Sequence, residues 1–365
     1  MVREEGMVQG AGFMSFQGCD DRRVGGLVGL LVGDALGVPY EFHSPDAIPA
    51  RDLIEMTPPL SFSRAHPGVP SETWSDDGAQ ALALLASLQE CGRFSLVDFA
   101  DRLLRWEDDG YMAVDGHVFD IGIQTADALA RLRDGVPVRE SGGADEWDNG
   151  NGSLMRVLPL ALWHQGSDEE LVRAAHLSST PTHRHPRSQV ACALYCLVAR
   201  GYLTGESDPW SMADERLHAI YEGWPNAEER KPFTTEIETV RRFGKSEQPR
   251  GTGYVVDSLF SARSALREPS FEDVAKAAIS LGNDTDTTAA VACGLAGIKF
   301  GIGGIPTRWL EQLRGFNLAE PLIVRLMTTS VGCSEAVDEW SGIGPDGVPC
   351  VLIDWSGPRK QRRRT

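Results

Sequence analysis

Glycines 25, 29, 33 and 37 recur every four residues through the apolar run "VGGLVGLLVGDALGVPY". At 3.6 residues per turn, that interval sets them along one face of a helix predicted over roughly 21–36. A glycine inside a helix costs about 1 kcal/mol relative to alanine. A repeated stripe of them therefore calls for another helix, or a ligand, pressed close against bare backbone. The rest of the chain carries the same period: residues 79–92, 96–110, 121–135, 186–203 and 271–280 each space apolar residues three and four apart, and several of these segments end in glycine. Strand-like alternation is nearly absent. The fold class expected is all-α, a single large orthogonal helical domain over 21–330 whose active site is formed by helix N-termini and loops. Around it stand a flexible N-terminus (1–20), an irregular C-terminal extension (331–358) and a basic tail (359–365). The polar, Pro- and Trp-bearing segments at 42–73, 136–152 and 204–253 read as long loops, which in a compact helical domain tend to build the site.

Composition excludes several classes. With 42% hydrophobic and 24% charged residues, the chain has ordinary globular make-up. Its most apolar run is interrupted by Asp34 and is too short between charges to span a bilayer, and no signal-peptide pattern opens the chain, so a cytoplasmic protein is expected. The seven cysteines are scattered without a CxxC pair, which points to reduced core thiols. A formal net charge of −17 argues against an extended nucleic-acid surface. The exception is the tail "RKQRRRT", which reads as a solvated charge run.

Chemistry concentrates at two places. In "GNDTDTTAAVACG", Asp284, Asp286, Thr287 and Thr288 crowd the start of a bland helix, and in "ETWSDDGAQALALL" Ser75, Asp76 and Asp77 do the same. One such residue suffices as an N-cap. Neighbouring helical residues point about 100° apart, so several can converge only at the irregular backbone of the cap itself. Repelling carboxylates at such a point gain from a cation. An oxygen-only donor set, with no Cys or His at ligand spacing, suits Mg²⁺ or Mn²⁺ better than zinc, with Ca²⁺ as an alternative. The two groups form one site only if the fold brings them together.

Six blocks in order, "GGLVGLLVGDALGVPYEF", "WSDDGAQALAL", "GNGSLMRVLPLAL", "THRHPRSQVACAL", "GTGYVVDSLFSA" and "GNDTDTTAAVACGLAGIKFGIGGIPTRWL", resemble the ADP-ribosylglycohydrolase family, including its dinitrogenase-reductase-activating members, over roughly 21–330. The resemblance implies an all-helical enzyme with two Mg²⁺ or Mn²⁺ ions that hydrolyses the glycosidic bond between ADP-ribose and a side chain of a protein substrate, releasing ADP-ribose. It implies Ser75, Asp76, Asp77, Asp284, Asp286 and Thr287 as metal ligands. Glu41, Asp77 and Asp284 are the implied catalytic carboxylates. Gly122, Gly150, Asn151, Gly152, Ser153, His183 and Tyr254 are the implied substrate-binding residues, with the 150–153 loop round the diphosphate and Tyr254 against adenine. Read without the resemblance, Glu41 is equally a loop acid, Gly150–Ser153 an ordinary turn, Tyr254 a core aromatic and His185 a helix cap. Two departures stand out: Ser75 replaces a threonine and keeps its hydroxyl, whereas Gly78 replaces another and loses it, which is expected to loosen the metal site or widen access to it.

Breaking a ribosyl bond passes through an oxocarbenium-like centre, which needs an activated water and an assisted leaving group. The block wording resembles the arginine-directed branch more than the serine-directed one. Rival readings use the same residues: a hydrolase of another ADP-ribose conjugate (serine-linked, nucleic-acid-linked or small-molecule), a metal-dependent phosphohydrolase acting on a nucleotide, and a binding module that recognises ADP-ribose without cleaving it.

Overall fold

The computed structural model describes residues 19–328; the extension and basic tail expected beyond 330, and most of the expected N-terminal segment, lie outside them. Among the described residues the fold is all-α. The helices are α1 (Cys19–Gly37), α2 (Asp76–Cys91), α3 (Leu96–Asp109), α4 (Ile123–Arg133), α5 (Leu158–Trp163), α6 (Asp168–Ser179), α7 (Pro186–Thr204), α8 (Pro209–Gly223), α9 (Ala227–Ser246), α10 (Val255–Ala265), α11 (Phe271–Ile279), α12 (Thr285–Phe300), α13 (Thr307–Gln312) and α14 (Phe316–Thr328). Sequence signals set their ends. Ser95, Ser167 and Ser270 cap α3, α6 and α11 by accepting a first-turn amide, and at α6 the Ser167 and Glu170 pair completes a capping box.

The glycine stripe is explained by α12. A Cβ at Gly25, Gly29 or Gly33 would stand 2.3–2.4 Å from the carbonyl oxygens of Gly297, Cys293 and Ala289, and one at Gly37 would stand 2.4 Å from Asp286 Cα. The two helices pack backbone to backbone from Gly25 to Gly37, and α2, α5, α7, α10, α11 and α14 pack round the pair. Bare backbone on α1 is filled by bare backbone on α12, where Gly297 answers Gly25, so close van der Waals contact offsets the helix cost of glycine. Trp74, Trp106 and Trp309 fill the core, and the thiols of Cys192, Cys196 and Cys293 are buried within it. No helix among the described residues is long and apolar enough to cross a membrane.

One expectation fails. Residues 204–253 hold the helices α8 and α9 rather than a long loop. Asp208 caps α8 ahead of Pro209, Asn226 caps α9, and Trp210, Ala213, Leu217 and Tyr221 line up as a buried face. The proline and tryptophan that suggested irregularity are an N1 proline and a core aromatic. The 42–73 segment is irregular as expected, with 3-10 turns at Pro45–Ala47 and Arg51–Leu53.

Candidate active site

The two acidic groups meet. Thr287 Oγ1 at the start of α12 donates to Asp77 Oδ1 at the start of α2, 3.2 Å away. Both N-termini are held by the last turns of α1. The Asp34 carboxylate accepts from the amides of Ser75 (2.8 Å) and Gly78 (2.7 Å), while Thr285 Oγ1 donates to the Gly37 carbonyl at 2.8 Å. Ser75 is the N-cap of α2, its hydroxyl accepting from Asp77 N at 3.4 Å. The hydroxyl lost at Gly78 leaves no gap. A Cβ there would stand 2.8 Å from Trp74 Cγ and 2.9 Å from Leu31 Cδ2, so the indole fills the space and the expected widening does not occur.

The electrostatics are unbalanced without a counter-ion. Asp34, Glu41, Asp76, Asp77 and Asp286 are buried and Asp284 is half-buried. Burial first, and neighbouring carboxylates second, push Glu41 up to about 10 and raise Asp76, Asp77 and Asp286 well above the usual carboxylate range. The buried cation Arg156 is hydrogen-bonded to Asp76 through Gln80, which donates to Asp76 Oδ2 at 3.3 Å and accepts from Arg156 at 2.6 Å. Three carboxylate oxygens, Asp77 Oδ2, Asp284 Oδ1 and Asp286 Oδ2, are buried with no hydrogen-bond partner. Buried oxygens of this kind are normally satisfied. Oxygen atoms of Glu41, Asp284 and Asp286 lie within 4.8 Å of one another. The donor set therefore fits a hard divalent cation, and it contains no thiolate.

Beside the acids lies a cavity of about 440 Å³. Of the expected site residues, Glu41, Asp76, Gly122, Gly150, Asn151, Gly152, His183, Asp284 and Thr287 line it. Ser75, Asp77 and Asp286 sit beneath that lining. Ser153 points inward, accepting from Ser179 Oγ at 2.8 Å, and Tyr254 caps α10 beside the cavity, ring to ring with Phe243 at 5.8 Å. The 141–153 loop is fixed by isolated bridges from Gly143 to His183 and from Gly150 to Tyr254. Asn151 Nδ2 donates to both Asp284 Oδ2 and Ser258 Oγ at 2.9 Å, tying that loop to the acids. The amides of Gly150 and Asn151 are committed to Gln124 Oε1 and the Gly253 carbonyl.

His183 is buried, and desolvation holds it down at about 3, so it is neutral. Arg156 donates to Thr182 Oγ1 at 2.6 Å, and that hydroxyl pairs with His183 Nδ1 at 2.8 Å. A Thr182 hydroxyl that accepts from Arg156 and gives its own hydrogen to Nδ1 leaves the ring proton on Nε2. A Cβ at Gly150 or Gly152 would come within 3.3 Å of that nitrogen, so the two glycines keep it accessible. His185 caps α7, accepting from Arg187 N at 3.1 Å.

Three residues here escaped the sequence reading. Asp34 caps α2, and the signal for it was a lone acid inside an apolar helix. Asp120 lines the cavity, and its signal was one more carboxylate just ahead of a helix. His66 Nε2 lies 2.7 Å from Glu41 Oε2 and 3.9 Å from Asp120 Oδ1, and nothing in its surroundings "RAHPG" marks it.

The sequence model described as ADP-ribosylglycohydrolase matches residues 17–335. The chain is 30% identical over 312 residues to "ADP-ribosylarginine hydrolase Tri1" of Serratia proteamaculans, covering 83% of this chain and 79% of that protein. It is 27% identical to "ADP-ribosyl-[dinitrogen reductase] glycohydrolase" of Rhodospirillum rubrum, covering 80% and 90% respectively. A solved structure titled "ADP-ribosylglycohydrolase-related protein complex" superposes with a TM-score of 0.66 at 32% identity, covering 86% of this chain and 99% of its own.

Proposed function

Since the chain belongs to the ADP-ribosylglycohydrolase family, we propose that it hydrolyses the glycosidic bond joining ADP-ribose to a protein side chain, arginine in preference, with two Mg²⁺ or Mn²⁺ ions, and so reverses mono-ADP-ribosylation in the cytoplasm. The observation that carries the reading is the set of three unpartnered buried oxygens on Asp77, Asp284 and Asp286 beside a cavity of about 440 Å³. Ser75, Asp76, Asp77, Asp284, Asp286 and Thr287 would hold the ions. When bound, such ions lower the pKa of water and polarise ribose oxygens.

The chain's own residues do the rest. His183 Nε2–H, with the Gly152 backbone beside it, donates to the diphosphate, a neutral donor placed where an anion must come close. Gly122 at the start of α4 shapes the ribose end, Ser153 braces the loop from within through Ser179, and Tyr254 offers a ring to adenine. Cations beside Glu41 would counter both its burial, the larger cause of its raised pKa, and the repulsion of its neighbours, and its carboxylate would then accept a proton from the attacking water. The arginine preference is supported by Asp120, an acid that lines the cavity and is assigned neither to the ions nor to the proton transfer. The relative named as an ADP-ribosylarginine hydrolase supports the same choice.

The test offers purified protein matched ADP-ribosyl-arginine and ADP-ribosyl-serine substrates, with and without chelator, and follows free ADP-ribose. Release from arginine that stops in chelator and returns with Mg²⁺ or Mn²⁺ is expected. Preference for serine would overturn the acceptor. Full activity in chelator would overturn the metals, and release of AMP or phosphate would replace the reading with a phosphohydrolase.

A further inference from the structure

Glu41 stands at the end of the α1 block, and its carboxylate has a single hydrogen-bond partner among the described residues, His66, from the irregular 42–73 segment. We propose that His66 is a positioning residue that holds the Glu41 carboxylate in its working orientation, so that the 42–73 loop sets the activity of the acid at the cavity. The proposal rests on the glycohydrolase reading and on Glu41 as its proton acceptor.

The geometry is specific. The 2.7 Å separation from Nε2 to Oε2 is a close hydrogen-bond distance, and it occupies one oxygen, leaving Oε1 for a water. The imidazole cannot easily turn away, because the rings of Phe42 and Phe119 lie 5.5 and 5.2 Å from it. Its loop is tied down on both sides, by Ala65 N to the Pro39 carbonyl and Val69 N to the His66 carbonyl, each 2.9 Å. The backbone round Glu41 also takes left-handed conformations, at Phe42 (φ 63°), His66 (φ 48°), Asp120 (φ 59°) and Asn283 (φ 61°), of which Phe42 is the residue type that seldom adopts them. Phe42 N donates to the Asn283 carbonyl at 2.7 Å and His66 reaches towards Asp120, so the four residues form one linked cluster. At Phe42 this conformation costs about 1 kcal/mol or more and persists only where the surroundings enforce it. A loop serving merely as a cover has no need of that cost beside one carboxylate.

The experiment compares wild type, His66→Ala and His66→Gln in the presence of Mn²⁺, with ADP-ribosyl-arginine as the probe. It measures kcat, KM, Mn²⁺ affinity and Tm together. A glutamine amide reaches the position of Nε2 and still donates. His66→Ala is expected to lower kcat roughly 10- to 100-fold, with KM and Mn²⁺ affinity changed by less than about threefold, and His66→Gln to recover most of the loss. Wild-type kcat in His66→Ala would overturn the proposal, as would a His66→Gln variant as impaired as the alanine. A loss confined to Tm or Mn²⁺ affinity would overturn it too, by making the residue a structural tie. A wild type that releases no ADP-ribose would instead overturn the functional reading, and the proposal with it.

Discussion

Asp286→Asn isolates what a cation would do in this site, because it removes one charge and keeps the shape. In the metal-free protein Asp286 Oδ1 accepts from Thr287 N at 2.8 Å, whereas Oδ2 is buried without a partner. Burial first, and Glu41, Asp120 and Asp77 after it, push its pKa up, so the charged form is disfavoured. An unsatisfied buried group costs about 1–3 kcal/mol, and an amide in its place can donate to the carboxylates around it. A gain of about 1–2 kcal/mol is expected for the metal-free variant. For a domain of about 310 residues, 1 kcal/mol moves Tm by about 1.5 °C, so the Asp286→Asn variant in chelator should melt about 1.5–3 °C above wild type. Mn²⁺ at about 100 times Kd stabilises the wild type by about 2.7 kcal/mol, or about 4 °C. The variant, having lost a ligand, should gain much less. The order of the two melting temperatures should therefore invert between chelator and Mn²⁺, which thermal denaturation in the two buffers reads directly. Parallel shifts with Mn²⁺, or a variant that melts below wild type in chelator, would refute the reasoning.

The same burial predicts a pH dependence. Asp34 is raised from 3.8 to about 7 and Glu41 from 4.5 to about 10, so their contribution to stability is fully present below the unfolded values and is lost as pH rises through the folded ones. Chelated protein should lose Tm more steeply than Mn²⁺-loaded protein between about pH 5 and 9, and equal slopes would count against the cluster. Gly25→Ala and Gly37→Ala should each cost roughly 1–3 kcal/mol by overpacking, but only Gly37→Ala, whose Cβ would press on Asp286 Cα, should weaken Mn²⁺ binding; equal effects on the metal would refute this. Asp34→Asn leaves one acceptor oxygen for two amides and should lower Mn²⁺ affinity roughly 10-fold or more without removing a ligand, a loss absent if Asp34 serves only the core.

Several helices of this protein are legible because periodicity is a local property: the segments 79–92 and 96–110 end at Gly92 and Gly110, which are the left-handed C-caps of α2 and α3. The acids of α2 and α12 are legible because charge at a helix N-terminus is conspicuous beside small apolar residues. What escapes is whatever depends on a partner distant in the chain. His66 carries no local mark and gains its interest only from Glu41, 25 residues away. Trp210 and Pro209 read as breakers until the buried face of α8 shows them to be an anchor and a first-turn proline. Gly78 reads as a lost hydroxyl until Trp74 is found in the space. In each case the residue type is ambiguous and tertiary packing selects the meaning.

The last turns of α1 explain how two clusters more than 200 residues apart can share one site. Asp34 fixes the first turn of α2 through its amides, and Gly37 accepts Thr285 Oγ1 and lies against Asp286, so one helix end sets both acidic N-termini. Glu41 follows four residues later on the same stretch of chain and inherits that frame. A side chain at Gly37 would push α12 away, and a longer residue at Asp34 would displace α2. The glycine stripe therefore has a use beyond packing: it brings α12 close enough for oxygens from two helices to face each other. Each helix offers the positive end of its dipole to the carboxylates gathered there, which partly offsets their crowding. That offset is worth at most about 2 kcal/mol per helix end, and three buried carboxylate oxygens remain without a partner. Helix ends alone therefore leave the cluster short of positive charge, and a divalent cation between α2 and α12 is the group whose charge and oxygen preference meet that shortfall.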